Sequence, residues 1–361
     1  MSRAAALIVG GGPAGAAAAI ALARGGVRAR LLERTAGAHD KVCGGFLGWD
    51  SLSALRRLGV DPAALGARPI GRLRLLSATA TVETRLPHAA AGLSRRTLDE
   101  TMLAAARAAG AYVERGRGVR AADPAARTVR VEDGEDLAAD AILLATGKHE
   151  LRGAARPRDT SRDPVGLRTA LSPSPRLEQV LEGAIELHLF DGGYAGLLIQ
   201  EDGCANLCLS VARHRIKRAG GIPKLIRQLA DELPALKERL AAGEPMGWSA
   251  ISGVPYGWHS AATEPGLYRL GDQGAVIASL AGDGIAIALA SGREAASALL
   301  EGADAPAYQA RLSARAARPL AVAEALRWAA EHPWPRAALM GLIGAFPALP
   351  GLAARLTRIG I

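Results

Sequence analysis

Three glycines near the N-terminus have the spacing of a phosphate-binding turn. Gly10, Gly12 and Gly15 follow an apolar stretch, residues 4–9, that predicts a buried strand, and they open a helix of small residues. The first glycine permits a tight turn, the second lets a pyrophosphate approach the backbone, and the third lets the helix lie close to the sheet. The helix N-terminus stabilises phosphate charge. The spacing therefore predicts a dinucleotide site.

A carboxylate narrows the choice of dinucleotide. Glu33 ends the next predicted strand, where its side chain can accept hydrogen bonds from a ribose diol. A carboxylate at this position disfavours a 2′-phosphate. The site is therefore expected to hold FAD or NAD(H) rather than NADPH.

A second set of glycine-rich turns lies late in the chain. Gly271 and Asp272 end a predicted apolar strand, residues 266–272. A glycine–aspartate–glycine turn at 282–284 then opens a second helix of small residues, which runs to about residue 300. A strand that ends in a glycine and a carboxylate, followed by a helix N-terminus, offers further groups to a bound cofactor.

Four segments, taken in order, resemble FAD-dependent oxidoreductases. The superfamily in question contains p-hydroxybenzoate hydroxylase-type monooxygenases, flavin-dependent halogenases and geranylgeranyl reductases. The matching segments are the N-terminal turn with Glu33, the helix start LSRRTLDETML with Arg95, the strand ILLATG ending at Gly147, and the Gly271-Asp272 segment. The resemblance runs from residue 4 to about residue 300 and implies bound FAD.

The resemblance also implies roles for single residues. Asp272 would hydrogen-bond the ribityl chain of FAD, Arg95 would lie near the pyrophosphate, and Val119 would border the adenine. The backbone of residues 282–285 would face the pyrimidine end of the flavin, where the helix dipole can stabilise negative charge on reduced flavin. The predicted FAD-binding residues are Gly10, Gly12, Pro13, Ala14, Gly15, Glu33, Arg34, Lys41, Cys43, Gly44, Arg95, Val119, Ala145, Gly147, Gly271, Asp272, Gly282, Gly284 and Ile285.

The stretch KVCGG contains the candidate catalytic residue. It resembles the Cys-Gly-Gly stretch of geranylgeranyl reductases, and the superfamily runs this part of its chain alongside the flavin ring. Gly44 and Gly45 would let the backbone approach the isoalloxazine. Cys43 is then a pocket residue, either as a proton donor or substrate contact, or as a small apolar wall.

Two reactions remain open. The cysteine–glycine loop and the late helix favour reduction of a carbon–carbon double bond by hydride transfer from reduced FAD. The commonest activity of the superfamily favours hydroxylation with NAD(P)H and O₂. A non-catalytic, flavin-based redox sensor is a minor alternative. The halogenase signature Trp-x-Trp-x-Ile-Pro is absent from the sequence, which argues against halogenation. No second nucleotide-binding glycine motif is found, so NADH or NADPH would act as a transient electron donor.

The substrate is expected to be a hydrophobic small molecule, isoprenoid- or polyketide-like, free or bound to a carrier. Tyr194, Trp248 and Tyr256 lie in the predicted substrate domain and are candidates for its pocket, although ordinary core packing explains them equally well. The last 26 residues combine apolar stretches with arginines. This tail could rest on a membrane surface or pack on the body of the protein.

Composition limits the other classes of function. The net charge is +9, but the arginines are scattered and no basic run is interleaved with aromatic residues, so nucleic acid is not an expected partner. Three cysteines without disulfide or metal spacing, and no metal-ligand pattern among the histidines, predict no metal site and a reducing, cytoplasmic location. The sequence contains no run of 18 apolar residues, so no transmembrane helix is predicted. The oligomeric state is left open.

The order of elements predicts a mixed α/β fold. We expect a discontinuous Rossmann-type FAD-binding domain that comprises residues 1–69, 92–150 and 262–300. An inserted, β-sheet-rich substrate domain is expected at 70–91 and 151–261, and a helical C-terminal segment at 301–361.

Overall fold

The computed structural model describes residues 4–156 and 164–359, and it has the predicted mixed α/β architecture. The described strands are β1 (Ala4–Val9), β2 (Arg30–Glu33), β3 (Phe46–Leu47), β4 (Arg68–Leu76), β5 (Thr81–Gly92), β6 (Tyr112–Arg115), β7 (Val119–Asp123), β8 (Thr128–Val131), β9 (Asp136–Leu144), β10 (Val165–Leu171), β11 (Ala184–Phe190), β12 (Gly193–Ile199), β13 (Ala205–Val211), β14 (Ser249–Ser252) and β15 (Leu267–Arg269).

The described helices include a helical C-terminal segment, which confirms that part of the predicted fold. They are α1 (Pro13–Arg24), α2 (Trp49–Arg57), α3 (Arg95–Ala109), α4 (Pro175–Leu181), α5 (Arg213–Ala219), α6 (Ile222–Glu232), α7 (Pro234–Ala242), α8 (Gly284–Leu300), α9 (Ala305–Glu331), α10 (Pro333–Ala345) and α11 (Leu349–Leu356).

The first sheet is the nucleotide-binding sheet. Strands β6, β2, β1, β9 and β15 are parallel neighbours in that order, and β7 and β8 continue antiparallel from β9. Its central strands are apolar on both faces because both are covered: helices α1, α3 and α8 pack on one face, and strands β7 and β8 with Leu151 and Ala154 pack on the other. Parallel strands bring their carboxyl ends to one edge, so the turns after β1, β2, β9 and β15 meet there.

Small residues let two helices lie close together on this sheet. Helix α1 packs along α8, and nearly every residue of α1 from Pro13 to Leu22 is buried. A Cβ built at Gly292 of α8 would come within 2.2 Å of the carbonyl oxygen of Ala14. This close approach fixes the start of α1 against α8, and both helix N-termini lie at the strand-end edge.

The second sheet is mostly antiparallel, with the order β14, β10, β13, β12, β11, β4, β5, β3. Alternation along β12 separates its two faces. Ala195, Leu197 and Ile199 pack into a core with helices α4, α6 and α7, whereas Tyr194, Gly196 and Leu198 line a cavity on the opposite face. The division of the chain into domains at the boundaries given above stays a prediction, and residues 157–163 of the range 151–261 lie outside the described residues.

Candidate cofactor and substrate site

A cavity of about 660 Å³ lies between the two sheets. At one end it reaches the turn between β1 and α1, and at the other end it reaches the C-terminal helices α9 to α11. All but one of the predicted FAD-binding residues line it. Gly15 is the exception, because a Cβ there would come within 2.0 Å of the Gly10 carbonyl oxygen, so its role is to let α1 pack on β1.

The turn after β1 has the backbone geometry of a phosphate cradle. Gly10 has a φ of +110°, and a Cβ there would lie 2.4 Å from the carbonyl oxygen of Ala145, so a side chain is excluded twice over. Helix α1 begins at Pro13, and Gly12 caps it without a side-chain hydrogen bond. The first N–H groups of α1 are therefore left for a ligand, as phosphate-binding helix N-termini require.

Glu33 at the end of β2 is buried and held in one orientation. The Gly11 N–H donates to its Oε2 at 2.7 Å, and the Thr35 hydroxyl donates to its Oε1 at 2.6 Å. Burial raises the pKa of this carboxyl, but the charge of Lys41 and the hydrogen bonds from Thr35 and Gly11 outweigh burial and lower the pKa below its ordinary value. The group is therefore an ionised acceptor beside the dinucleotide turn.

Two cations lie next to the start of α1. Arg95 begins α3 and forms a two-point ion pair with Asp99, with Nε at 2.8 Å and Nη2 at 2.7 Å from the carboxylate oxygens. Lys41 Nζ is 3.4 Å from the same carboxylate. A Cβ at Gly12 would lie 3.4 Å from Arg95 Nη2, so the guanidinium is adjacent to the glycine turn. This arrangement suits a pyrophosphate.

Glycines also leave space along the rest of the cavity. A Cβ at Gly44, Gly147 or Gly284 would meet no described protein atom within 4 Å beyond its chain neighbours. All three residues line the cavity, each on a different loop. The open space, the uncapped helix and the neighbouring cations together fit an extended dinucleotide such as FAD.

The Cys43–Gly45 loop is clamped between the two sheets. The side-chain amide of Asn206 on β13 donates to the carbonyl oxygens of Cys43 at 3.0 Å and Gly44 at 2.8 Å. Gly45 has a φ of +70° and accepts a hydrogen bond from the Leu93 N–H at 2.9 Å. The thiol of Cys43 lines the cavity and interacts with the Arg95 guanidinium. Cys43 therefore joins the cofactor end of the cavity to the substrate-side sheet.

The turns after β15 lie across the cavity from this loop. Gly271 donates its N–H to the Ser291 hydroxyl at 2.8 Å, and Arg156 donates to the Asp272 carbonyl oxygen at 2.7 Å. The Asp272 side chain lines the cavity, as do Gly282, Gly284 and Ile285 at the start of α8. These contacts hold Gly271 against α8 and Asp272 against the segment that follows β9.

The chain end closes over the start of α8. The hydroxyl of Thr357 donates to Asp283 at 2.7 Å, and Arg358 lies 3.3 Å from the same carboxyl, stacked over the Trp49 ring. Burial raises the pKa of Asp283 to about 7 against the opposing charge of Arg358. This ionisable contact ties the tail to the N-terminus of the helix that faces the predicted flavin position.

A polar cluster that the sequence did not predict lies where the cavity passes from the cofactor end to the substrate end. Tyr194 and Tyr256 both hydrogen-bond to the hydroxyl of Ser279, which is exposed to the cavity. Lys148 lines the cavity directly after Gly147. The position of Lys148 could have been predicted from the sequence, because it follows a parallel strand at the edge of the sheet where ligands bind. Nothing in the sequence around Ser279 indicates that it lines the cavity.

One predicted pocket residue lies elsewhere. Trp248 packs against the second core, between the sheet and helices α4 to α7, and it is not among the residues that line the cavity. The neighbouring residues Ser249, Ala250 and Ile251 do line the cavity.

The remainder of the cavity is an apolar chamber. Sheet strands form its floor and the C-terminal helices form its roof. Its lining includes Leu73, Leu75, Leu86, Ala90, Ile185, Leu187, Leu189, Leu198, Leu280, Leu326, Ala330, Leu339, Ile343, Pro350 and Ala353.

Comparison with known proteins agrees with this geometry. Residues 3–145 match a family model described as an FAD binding domain. The flavin-dependent brominase Bmp2 is similar in structure, with a TM-score of 0.80 at 15% identity over 99% of this chain and 93% of the other. A geranylgeranyl bacteriochlorophyll reductase-like protein from Thermoplasma acidophilum has a TM-score of 0.76 at 18% identity, over 100% and 94% of the two chains.

A third similar structure is PqsL, a probable FAD-dependent monooxygenase from Pseudomonas aeruginosa, with a TM-score of 0.71 at 18% identity over 94% of this chain and 100% of the other. At these identities the likeness establishes the fold. The family match shows, in addition, that residues 3–145 form an FAD binding domain. The prediction of an FAD-binding domain is confirmed.

Within 4–156 and 164–359, no group of three or more His, Cys, Asp or Glu side chains is placed to hold a metal ion. In the same ranges no single helix is long and apolar enough to span a membrane, although α10 and α11 pass that test together with a bend of 116° between them.

Proposed function

We propose that the protein reduces a carbon–carbon double bond in a hydrophobic organic substrate, using reduced FAD as hydride donor. The observation that carries this proposal is the continuity of one cavity from the glycine turn of α1 to the apolar chamber. FAD, when bound, supplies the redox chemistry. The protein's own residues then hold the cofactor, exclude water and align an apolar chain.

The residues divide these tasks between them. Glu33, Arg95 and the first N–H groups of α1 bind the polar parts of the cofactor. The start of α8 places a helix N-terminus where negative charge of a reduced cofactor is stabilised. The leucines of the chamber bind the substrate by burying its hydrocarbon surface, which is worth about 25 cal/mol per Å².

Hydroxylation with NAD(P)H and O₂ is the second candidate. Lys148 and the hydroxyls at Ser279 favour it, because a phenol or enol held there is more reactive towards electrophilic oxygen when its own oxygen carries negative charge. The reductase is ranked first because the Cys43-Gly44-Gly45 loop and the start of α8 resemble those of geranylgeranyl reductases. A flavin-based redox sensor without turnover ranks last.

The electron donor is NADH or NADPH, bound transiently. This part of the proposal rests on the sequence, which has a single dinucleotide turn. Either donor would reach the cofactor through the open side of the cavity before the substrate enters.

One experiment separates the two reactions. The FAD-loaded protein is reduced without oxygen by NADH or NADPH, and an unsaturated apolar substrate such as a polyprenyl diphosphate or polyprenol is added. For a reductase, the flavin absorbance returns without O₂ and the product gains two hydrogens by mass. If the absorbance returns only after O₂ is admitted, and the product gains an oxygen atom, the hydroxylase is correct.

The same preparation tests the cofactor itself. Purified protein should be yellow and should retain FAD on gel filtration. A colourless protein that takes up no added FAD would rule out both reactions.

We also propose that the apolar end of the cavity opens to a lipid surface. Large apolar side chains are exposed on the roof helices, and the sequence from His332 to Ile361 contains no Asp or Glu. Arg355 on α11 is exposed among them. An apolar face with cationic residues and no acidic ones suits an anionic membrane, from which a hydrophobic substrate can enter the chamber. A substrate carried by another protein is the alternative source.

A further inference from the structure

We propose that Lys148, Tyr256, Ser279 and Tyr194 form a subsite for a negatively charged oxygen on an otherwise apolar substrate. The oxygen would belong to a carboxylate, a phenolate or an enolate. This inference rests on the proposed function and adds a chemical class to its substrate.

Lys148 presents an ammonium group to the cavity. Among the described residues, the hydrogen-bond acceptor of its Nζ is the carbonyl oxygen of Val42, 3.2 Å away. An ammonium has three donors, so two point away from this contact. In the described part of the chain, the anionic group with the largest effect on this ammonium is the Asp272 carboxylate.

The lysine remains charged in this position. Burial lowers the pKa of Lys148, but the nearby Asp272, Cys43, Tyr256 and Cys208 raise it, and the net pKa lies above its ordinary value. The ammonium is therefore charged, and its two remaining N–H groups can donate charge-assisted hydrogen bonds to an anionic oxygen.

The three hydroxyls supply further donors at the same boundary. Tyr194 and Tyr256 share two hydrogen bonds with Ser279, one of them 2.6 Å long between Tyr256 and Ser279. Burial raises the pKa of Tyr194 well above its ordinary value, so its phenol stays protonated. Three hydroxyl protons and two internal hydrogen bonds leave one proton to donate to a ligand.

The place of the cluster in the cavity determines which part of a substrate it can bind. The cluster lines the same cavity as Asp272 of the cofactor end and the leucines of the chamber, Leu198 and Leu280 among them. A substrate that places its hydrocarbon part in the chamber presents its polar end to Lys148 and Tyr256. A positively charged end would be repelled, and a neutral alcohol would gain a weaker hydrogen bond.

The test compares ligands of one length with different ends. Decanoate, decanol and decyltrimethylammonium are titrated into the FAD-loaded protein at pH 7.5, and binding is measured by calorimetry. We expect decanoate to bind at least about tenfold more tightly than decanol, since a charge-assisted hydrogen bond is worth about 1.5–3 kcal/mol. Decyltrimethylammonium should bind most weakly.

Variants assign the preference to the cluster. Lys148→Met should abolish the preference for decanoate over decanol, Lys148→Arg should retain most of it, and Tyr256→Phe should reduce it about threefold. Lys237→Met is the control, because Lys237 is an exposed lysine paired with Asp231 and is not among the residues that line the cavity. It should leave the preference intact.

Three results would overturn the inference: equal affinity of the unaltered protein for decanoate and decanol, an unchanged preference in Lys148→Met, or a shifted flavin reduction potential in that variant with the preference kept. A shifted reduction potential with the preference kept would show that Lys148 acts on the cofactor and not on the substrate. Failure of the proposed function is seen separately, as absence of bound FAD or of flavin reoxidation by any unsaturated substrate.

Discussion

At the scale of single residues, the site combines charged side chains held in fixed positions with small residues that leave space. Glu33 and Arg95 are each fixed by two or more hydrogen bonds, so they meet a cofactor without losing much side-chain entropy. Cys43 and Gly44 instead contribute space, and their loop is positioned by its backbone contacts to Asn206. Charged residues would therefore bind the cofactor, while Cys43 and Gly44 leave the space that it needs.

Cys43 can be tested directly. Because the thiol lines the cavity and its backbone holds the loop, Cys43→Ser and Cys43→Ala should both retain FAD and keep turnover within about threefold of the unaltered protein. Rates of flavin reduction and of product formation are measured for each. Loss of product formation by both variants, with normal flavin reduction, would instead assign the thiol a catalytic role as proton donor.

Asp283 predicts a pH dependence of stability. Its folded-state pKa is raised from 3.8 to about 7, so between those values the folded state binds more protons than the unfolded state. The contribution of this group is fully present below about pH 4 and is lost as pH rises through about 7. The free energy of unfolding should therefore include a term that falls across this window.

Asp283→Asn, which imitates the protonated carboxyl, should remove that term. Urea unfolding of both proteins at pH 5 and pH 8 measures it: the variant should gain stability relative to the unaltered protein at pH 8 and match it more closely at pH 5. Asp231→Asn, at an exposed carboxylate paired with Lys237, is the control and should change neither difference. An Asp283→Asn variant that is less stable at pH 8 than at pH 5, by as much as the unaltered protein, contradicts the assignment.

At the scale of elements, the contact between α1 and α8 couples packing to cofactor binding. A Cβ at Gly292 would lie 2.2 Å from the Ala14 carbonyl oxygen, which is backbone and cannot move aside alone. Gly292→Ala should therefore cost about 1–3 kcal/mol of stability. It should also weaken FAD binding, since Ala14 belongs to the first turn of the helix that begins at the glycine turn.

Gly341 offers a matched control in another helix. A Cβ there meets no described protein atom within 4 Å beyond its chain neighbours, so Gly341→Ala should be neutral or stabilise by up to about 1 kcal/mol. Thermal unfolding and FAD titration are measured for both variants. If Gly292→Ala binds FAD as the unaltered protein does and unfolds at the same temperature, the helix contact does not position the cradle.

Elements with local signatures could be predicted from the sequence. The strand, glycine turn and helix at the N-terminus are encoded within a few residues, as is the carboxylate at Glu33, and the family match confirms the cofactor domain. The hydroxyl cluster could not be predicted, because Tyr194 and Ser279 are 85 positions apart and meet only through the packing of β12 against the segment before α8. For Trp248 the sequence left cavity and core equally open, and the structure packs it on the second core.

The packing of the helices that roof the cavity also could not be predicted from the sequence. The tail was expected either to rest on a membrane or to pack on the protein, and in the structure the helices do pack: Met340 and Ile343 are buried against Leu187 and Leu189. The positions where α9 ends and α10 begins decide which apolar residues of these helices face the protein. Prolines lie at these helix ends, and the angle by which the chain bends there cannot be predicted from the spacing of residues.

At the scale of the whole molecule, the cofactor and the solvent-exposed apolar surface lie at opposite ends of one cavity. Trp334 is 88% exposed, Phe346 is 59% exposed, and both belong to the C-terminal helical segment whose other face closes the chamber. Several large apolar side chains are exposed in this one segment, which is typical of an interaction surface: Trp328, Trp334, Leu342, Phe346 and Leu352. This exposed surface supports the proposed entry of an apolar substrate from a lipid surface.

Vesicle binding tests this proposal. The protein should co-sediment with vesicles that contain anionic phospholipid, and more weakly with purely zwitterionic vesicles or at high salt. The double variant Trp334→Ala/Phe346→Ala should lower the partition coefficient at least about tenfold, because each large side chain contributes about 1.5–3 kcal/mol on burial. Tyr112→Ala, at a half-exposed aromatic residue on the edge strand β6, is the control and should have no effect. Equal sedimentation of all three proteins, or none with any vesicle, would favour delivery of the substrate by a carrier protein, and the Trp334→Ala/Phe346→Ala variant should then retain full turnover of a soluble substrate.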